Sequence, residues 1–329
     1  MPELPDLVHI VSVLGPALEG RTVVRAAVKE PIVLRVLLPG DFRDLVSGLA
    51  FRGLERHGPF LRFHLEQATT GPAGDGPLAP VVSDPGLPRN HEAIAGGVSR
   101  SREAIPRDQS ESSGFDLIMH LMLAGRLRLA PTSQKPLAYT AFSLELDSGE
   151  VLSYGDEKKM GKIYLCEAGS FEAIPGYLTQ GVDVTSEAFT WECFSALIAK
   201  KRCQARVFVM DQTALSAIGN AYADEILFEA GIHPKATACT LSAEKKRALY
   251  DAIKTVLAWG VTEVEAAGAS LEDKVRGHMR VRNRAGEKCP RCGATIRRAG
   301  VLGYDAFFCP VCQPDTAGKG LDWTKLPKA

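Results

Sequence analysis

Apolar residues first recur at helical spacing. Leu7, Ile10, Val11, Leu14 and Leu18 share one face of a segment from Leu4 to about Leu18, which predicts an amphipathic helix. The period then shortens. Runs over Thr22–Val28, Ile32–Leu38, Leu54–Leu65, Phe115–Leu129, Tyr139–Leu146 and Glu150–Tyr154 alternate apolar and polar residues between turn formers. That is the pattern of antiparallel strands in a sandwich or barrel, not of βαβ units. From Ser186 the spacing is helical again, over Glu187–Ala199, Val207–Met210, Ala221–Glu229 and Ser242–Trp259. Between about Gln67 and Gly114 the chain is rich in Gly, Pro, Ser and Ala without periodicity, so a disordered insertion is expected between two strands. The expected class is α+β: an N-terminal β domain over 1–185 carrying an N-terminal helix, helices over 186–276, a cysteine module over 277–315 and a basic tail over 316–329.

Composition changes this picture little. With 329 residues, 45% of them hydrophobic and 24% charged, the chain has the make-up of a globular protein large enough for several cores. No apolar run reaches the length of a membrane span, and the start lacks the basic and apolar regions of a signal peptide. A cytoplasmic protein without a membrane partner is the expectation. The formal net charge is zero, but from Lys274 to the end 12 Lys/Arg face 4 Asp/Glu, an excess of +8. A basic end on a neutral chain fits local phosphate contacts or, equally, a solvated charged surface.

Candidate chemistry lies at the two ends. Near the C-terminus Cys289 and Cys292 form one CxxC pair and Cys309 and Cys312 a second, 16 residues later. Each pair can chelate one side of a tetrahedral ion, and a β-hairpin between them, with turns at Gly293, Gly300 or Gly303, would bring the pairs face to face. Four thiolates leave no open position, so a Zn2+ there is structural. At the N-terminus Pro2 follows the initiator methionine, whose removal would free a secondary amine with a pKa near ~8. Such an amine can attack a sugar C1′ and form an iminium. Glu3 beside it could transfer the protons. The same residues also fit a plain loop start with acids in a helix's first turn, and taken alone they favour it.

Three separated stretches resemble one family. Met1-Pro2-Glu3-Leu4-Pro5-Asp6 is similar to the start of the formamidopyrimidine-DNA glycosylase/endonuclease VIII family. Asp211-Gln212 and Ile218 through Pro234 resemble its helix–two-turn–helix motif, and the cysteine pairs lie where it has a zinc finger. The resemblance implies a DNA repair glycosylase with abasic-site (AP) lyase activity. Pro2 would be the Schiff-base nucleophile and Glu3 its acid/base partner, acting as a monomer on double-stranded DNA at a bacterial nucleoid. Asn220 with the backbone at Gly219 would hold phosphates, since a glycine turn at a helix start offers N–H groups to an anion. Alternatively, Asn220 is the helix N-cap. His120, Leu123, Lys159 and Met160 fall in the segments that carry intercalating residues, with Met160 and Leu123 as apolar wedges and Lys159 facing the orphan base. Ordinary strand packing accounts for any one of them equally well.

Departures from the family pattern accompany these matches. Pro59 stands where a catalytic lysine is expected, Tyr304 where an arginine would grip phosphate, and the stretch from Gly260 to Arg280 is shorter than the family's base-capping loop. They imply a divergent branch with an altered lesion preference. A binding protein that kept the scaffold without base excision is the competing expectation.

Overall fold

The computed structural model describes residues 2–68 and 114–315. The first helix, α1 (Leu4–Leu18), follows the spacing of its apolar residues: Leu4, Leu7, Ile10, Leu14 and Leu18 are all buried. Glu3 is its N-cap, and the Glu3 N–H donates to Asp6 Oδ2 at 2.8 Å. Truncating a buried leucine of this face to alanine would cost about 2–5 kcal/mol.

Nine strands then build two sheets. One has the order β2 (Leu34–Val36), β9 (Lys162–Glu167), β5 (Gly114–His120), β4 (Phe60–Gln67), β3 (Leu49–His57). The other has the order β1 (Val23–Val28), β7 (Thr140–Leu146), β8 (Glu150–Gly155), β6 (Arg126–Pro131). Phe51, Phe63 and Leu117 of the first sheet join Phe142, Leu144 and Leu152 of the second and the α1 leucines in one core. That is the expected sandwich, with a correction: β2 runs parallel to β9, so the larger sheet is mixed. Two further expectations change. Leu54–Leu65 is not one strand but the β3–β4 hairpin, turning at Gly58 and Pro59 with His57 paired to Phe60. Gly58 adopts a positive φ of 55°, which suits a tight turn. Phe115–Leu129 likewise breaks into β5 and β6. Glu66 pairs with Gly114, so the expected insertion joins neighbouring strands; its residues 69–113, like the tail at 316–329, lie outside the described residues.

A short helix, α2 (Phe42–Val46), sits within the β domain. The helical part comprises α3 (Trp191–Ala199), α4 (Ala205–Val209), α5 (Asn220–Glu229) and α6 (Ala243–Ala266). Thr190 and Ser242 cap α3 and α6 through their hydroxyls, accepting from Cys193 and Lys245 N–H. Helix α6 outlasts the expected Trp259, so the connection taken to begin at Gly260 begins at Ala267. Among the described residues no helix is long and apolar enough to cross a membrane.

Beyond that connection, Glu225 of α5 receives the N–H groups of Arg280, Val281 and Arg282 on one carboxylate oxygen, at 3.0, 2.8 and 3.0 Å. This clamps the entry to the cysteine module, whose hairpin is β10 (Arg297–Val301) and β11 (Tyr304–Phe308). Val281, Cys289, Ile296 and Cys309 pack on Phe228 of α5, and Gln313 bonds both the Cys309 N–H and the Ile232 carbonyl.

Candidate active site

The start of α1 and the start of α5 meet. Leu4 N–H donates to the Ala217 carbonyl at 2.9 Å. The buried Glu3 carboxylate accepts from the N–H groups of Gly219 (3.1 Å), Ala221 (3.0 Å) and Tyr222 (3.0 Å). An anion does bind this glycine-containing helix start, but it is the protein's own Glu3. That corrects the expectation for Gly219, whose N–H is engaged within the chain. Gly219 is also the N-cap of α5, and Asn220 is its first residue. The glycine is required sterically: a Cβ there would lie 2.7–2.9 Å from Glu3 Cδ, Cγ and Oε1.

Asn220 is held by a residue the sequence did not single out. The fully buried Arg206 donates to Asn220 Oδ1 at 2.8 Å, to Asp224 Oδ1 at 2.8 Å and to the Asp305 carbonyl of the hairpin at 3.0 Å. With its oxygen engaged, Asn220 presents its NH2 as the remaining donor. Arg282 adds a second bond to Asp224, at 2.7 Å, and another to the Asp305 carbonyl. Arg276 clasps Asp6 through both nitrogens, at 2.8 and 2.6 Å. Nothing in the local pattern marks these arginines, because their partners lie up to 270 residues away.

These groups floor a cleft of about 930 Å³ whose walls come from all parts of the chain. Met122, Leu123 and Met160 reach it from turns of the β domain, Met210–Gln212 and Ile218–Ala221 from the helical part, and Val301, Leu302 and Tyr304 from the hairpin tip. Leu123, Met160, Leu302 and Tyr304 are large apolar or aromatic side chains left exposed. Met122, Asn283 and Leu302, all on the lining, adopt positive φ, as do Lys159 and Ala217 beside lining residues. A non-glycine residue held there costs on the order of 1 kcal/mol or more, and such strain gathers at functional sites.

Other expected residues are placed differently. Lys159 pairs with Glu30 at 2.9 Å. His120 is half-buried against Phe60, and its Nδ1 accepts the Met122 N–H at 3.2 Å. Burial, then the Lys162 charge, pushes its pKa down to about 4. Neither side chain is part of the cleft lining described above. Pro59 sits in the β3–β4 turn, and Tyr304 is on the cleft wall.

The four cysteine sulfurs lie within 4.8 Å of one another, with Cys289–Cys312 at 3.9 Å and Cys292–Cys309 at 3.4 Å. Tetrahedral bonds of ~2.3 Å to zinc put sulfurs about 3.8 Å apart, so the donor set fits Zn2+ in a structural four-cysteine site.

Three family models match in the order of the folded parts. The N-terminal domain of formamidopyrimidine-DNA glycosylase matches residues 1–163, its H2TH domain residues 180–272, and the zinc finger found in FPG and IleRS residues 286–314. A formamidopyrimidine-DNA glycosylase of Roseiflexus sp. is 34% identical over 209 residues, 61% of this chain and 75% of that protein. The chain belongs to the formamidopyrimidine-DNA glycosylase family. A second member, from Moorella thermoacetica, is 29% identical over 91% of this chain and 94% of its own. The family fold recurs in the crystal structure of the MutM (Fpg) protein from Thermus thermophilus, with a TM-score of 0.71 at 26% identity over 95% of this chain and 98% of that one. A Lactococcus lactis Fpg in complex with abasic-site DNA shares the fold at a TM-score of 0.72 and 24% identity, covering 95% and 99%.

Proposed function

We propose that the cleft receives duplex DNA and that Glu3 on its lining and Pro2 beside it carry out the chemistry of a base-excision-repair DNA glycosylase with AP lyase activity. The observation that carries this reading is the seating of Glu3 beside Pro2, its carboxylate locked on the start of α5 next to Asn220. Once the initiator methionine is removed, the neutral Pro2 nitrogen adds its lone pair to C1′ of the damaged nucleotide. The glycosidic bond breaks and the base leaves. The base departs with the bonding electron pair and is protonated by solvent. The Glu3 carboxylate takes the proton from the Pro2 nitrogen and passes it to O4′ as the C1′–O4′ bond breaks, leaving a cationic iminium between Pro2 and C1′. The iminium acidifies the C2′ proton; its removal breaks the C3′–O bond and releases the 3′ phosphate. C1′ is shielded in a stacked duplex, so the nucleotide must first be everted.

Asn220 NH2 is assigned to a flanking phosphate. Leu123 and Met160 fill the gap left in the stack, on a cleft that Leu302 and Tyr304 also line. Lys159 and His120 would act only at the margin of the bound duplex. The zinc held by the four cysteines keeps the hairpin tip in place and takes no part in the reaction. A protein acting on the chromosome of a bacterium works in the cytoplasm, at the nucleoid.

The test is strand cleavage of a labelled duplex with one abasic site. The wild type should yield the β-elimination product. Pro59 offers no cation for a further elimination, so the product should retain its 3′ unsaturated sugar remnant. Pro2→Gly should yield none. Equal cleavage by the Pro2 variant and the wild type would contradict the assignment.

A further inference from the structure

Beside the cleft and against Pro2 lies a cavity of about 20 Å³, room for one water molecule. Pro2, Asp6, His9, Arg126, Glu272 and Lys274 are among the residues that bound it. Lys274 belongs to both spaces, lining this cavity with Pro2 and the cleft with Glu3. Its Nζ donates to the Leu123 carbonyl at 2.8 Å.

The charges around Pro2 can be accounted for one by one. Asp6 is neutralised by Arg276 at 2.6 Å, and Glu272 pairs with Arg128 at 3.4 Å. Asp273 is exposed, and His9 bonds the Ala269 carbonyl. Glu3 is taken up by the helix start. Arg126 spends its guanidinium on the carbonyls of Ala124 and Gly125. The carboxylates facing Pro2 from α1 and from the 267–280 connection are therefore offset or solvated. Two cations, Lys274 and Arg126, remain around the cavity, held by neutral carbonyls.

We propose that Lys274 is a positioning residue that sets the charge state of the Pro2 amine: its fixed cation, with Arg126 behind it, disfavours the protonated amine and leaves more of it neutral and able to attack C1′. Like charges disfavour each other's charged forms. The same crowding is felt by Lys274 itself, whose pKa is pushed down by burial and then by Arg126. The inference rests on Pro2 being the attacking amine.

The experiment is single-turnover borohydride trapping on saturating abasic-site duplex, from mildly acidic to alkaline pH, for wild type, Lys274→Met and Lys274→Arg. In the trapped step the Pro2 nitrogen adds to the C1′ aldehyde, the C1′ oxygen leaves as water, and hydride from borohydride reduces the iminium to a tertiary amine. Removing the cation should raise the midpoint of the Lys274→Met profile by about one pH unit. The rate at neutral pH should then fall roughly five- to tenfold and recover at higher pH. Lys274→Arg should follow the wild type. A Lys274→Met profile with an unshifted midpoint, slowed or not, overturns the proposal and leaves Lys274 as a tie to the Leu123 turn. Absence of an adduct in the wild type at every pH would instead remove the Pro2 reading beneath it. If zinc content and melting show that the methionine variant has lost its fold, Arg126→Met gives the same comparison.

Discussion

Glu3 joins two helix starts with one side chain, and the consequences can be read at single residues. Glu3→Gln keeps the size of the side chain but removes the charged carboxylate that accepts from three N–H groups and can relay a proton. Strand cleavage should slow by about 10²–10⁴-fold while duplex binding persists. Gly219→Ala tests the same contact from the other side: its Cβ would meet the carboxyl at 2.7–2.9 Å. Glu3 must then move, so cleavage should fall steeply with a stability loss of only about 1–3 kcal/mol. Rate and melting measured together separate the two effects. His120 gives a pH prediction. Its folded-state pKa of about 4 lies below the ordinary value of 6.5, so the folded protein resists its protonation. The stability it contributes is full above the ordinary value and drains away as pH falls towards the lowered one, by up to about 1.4 kcal/mol per pH unit. Melting curves of His120→Gln should decline less with acid over that window than those of the wild type.

At the scale of elements, the hairpin over 297–308 is held to the helical part by Arg206, Arg282 and Gln313, but its internal order depends on the four-cysteine site. Chelation should raise amide exchange across 286–314 and weaken DNA binding. The amides of α1, packed in the sandwich core, should stay protected. Helices α1 and α5 and the paired cysteines were legible in the sequence because spacing alone defines them. Breaks inside strands were not. Leu54–Leu65 reads as one alternating run, and only the Gly58-Pro59 turn, with its positive φ, splits it. Strand β9 was missed because residues 162–167 are buried in four of six positions and do not alternate.

For the whole molecule, the cleft forms because three parts of the chain face one another. Its wedge candidates Leu123 and Met160, its hairpin residue Tyr304, its Glu3 and Asn220, and Pro2 beside it could be proposed from resemblance to a family. The arginine supports could not: Arg206–Asp224, Arg282–Asp224 and Arg276–Asp6 are pairs made by folding, between residues 18 to 270 apart. The same holds for the engagement of Gly219, where the sequence offered an anion site without showing that Glu3 fills it. The central claim is that the free Pro2 amine forms an imine with the sugar. The most direct test is borohydride trapping of correctly processed, zinc-loaded protein on an abasic-site duplex, followed by mapping of the linked peptide. A covalent adduct attached to the N-terminal proline and lost in Pro2→Gly is the predicted result. A protein that binds the duplex yet gives no adduct, or one linked through a lysine, would contradict the account; the former would leave a damage-binding protein on this scaffold.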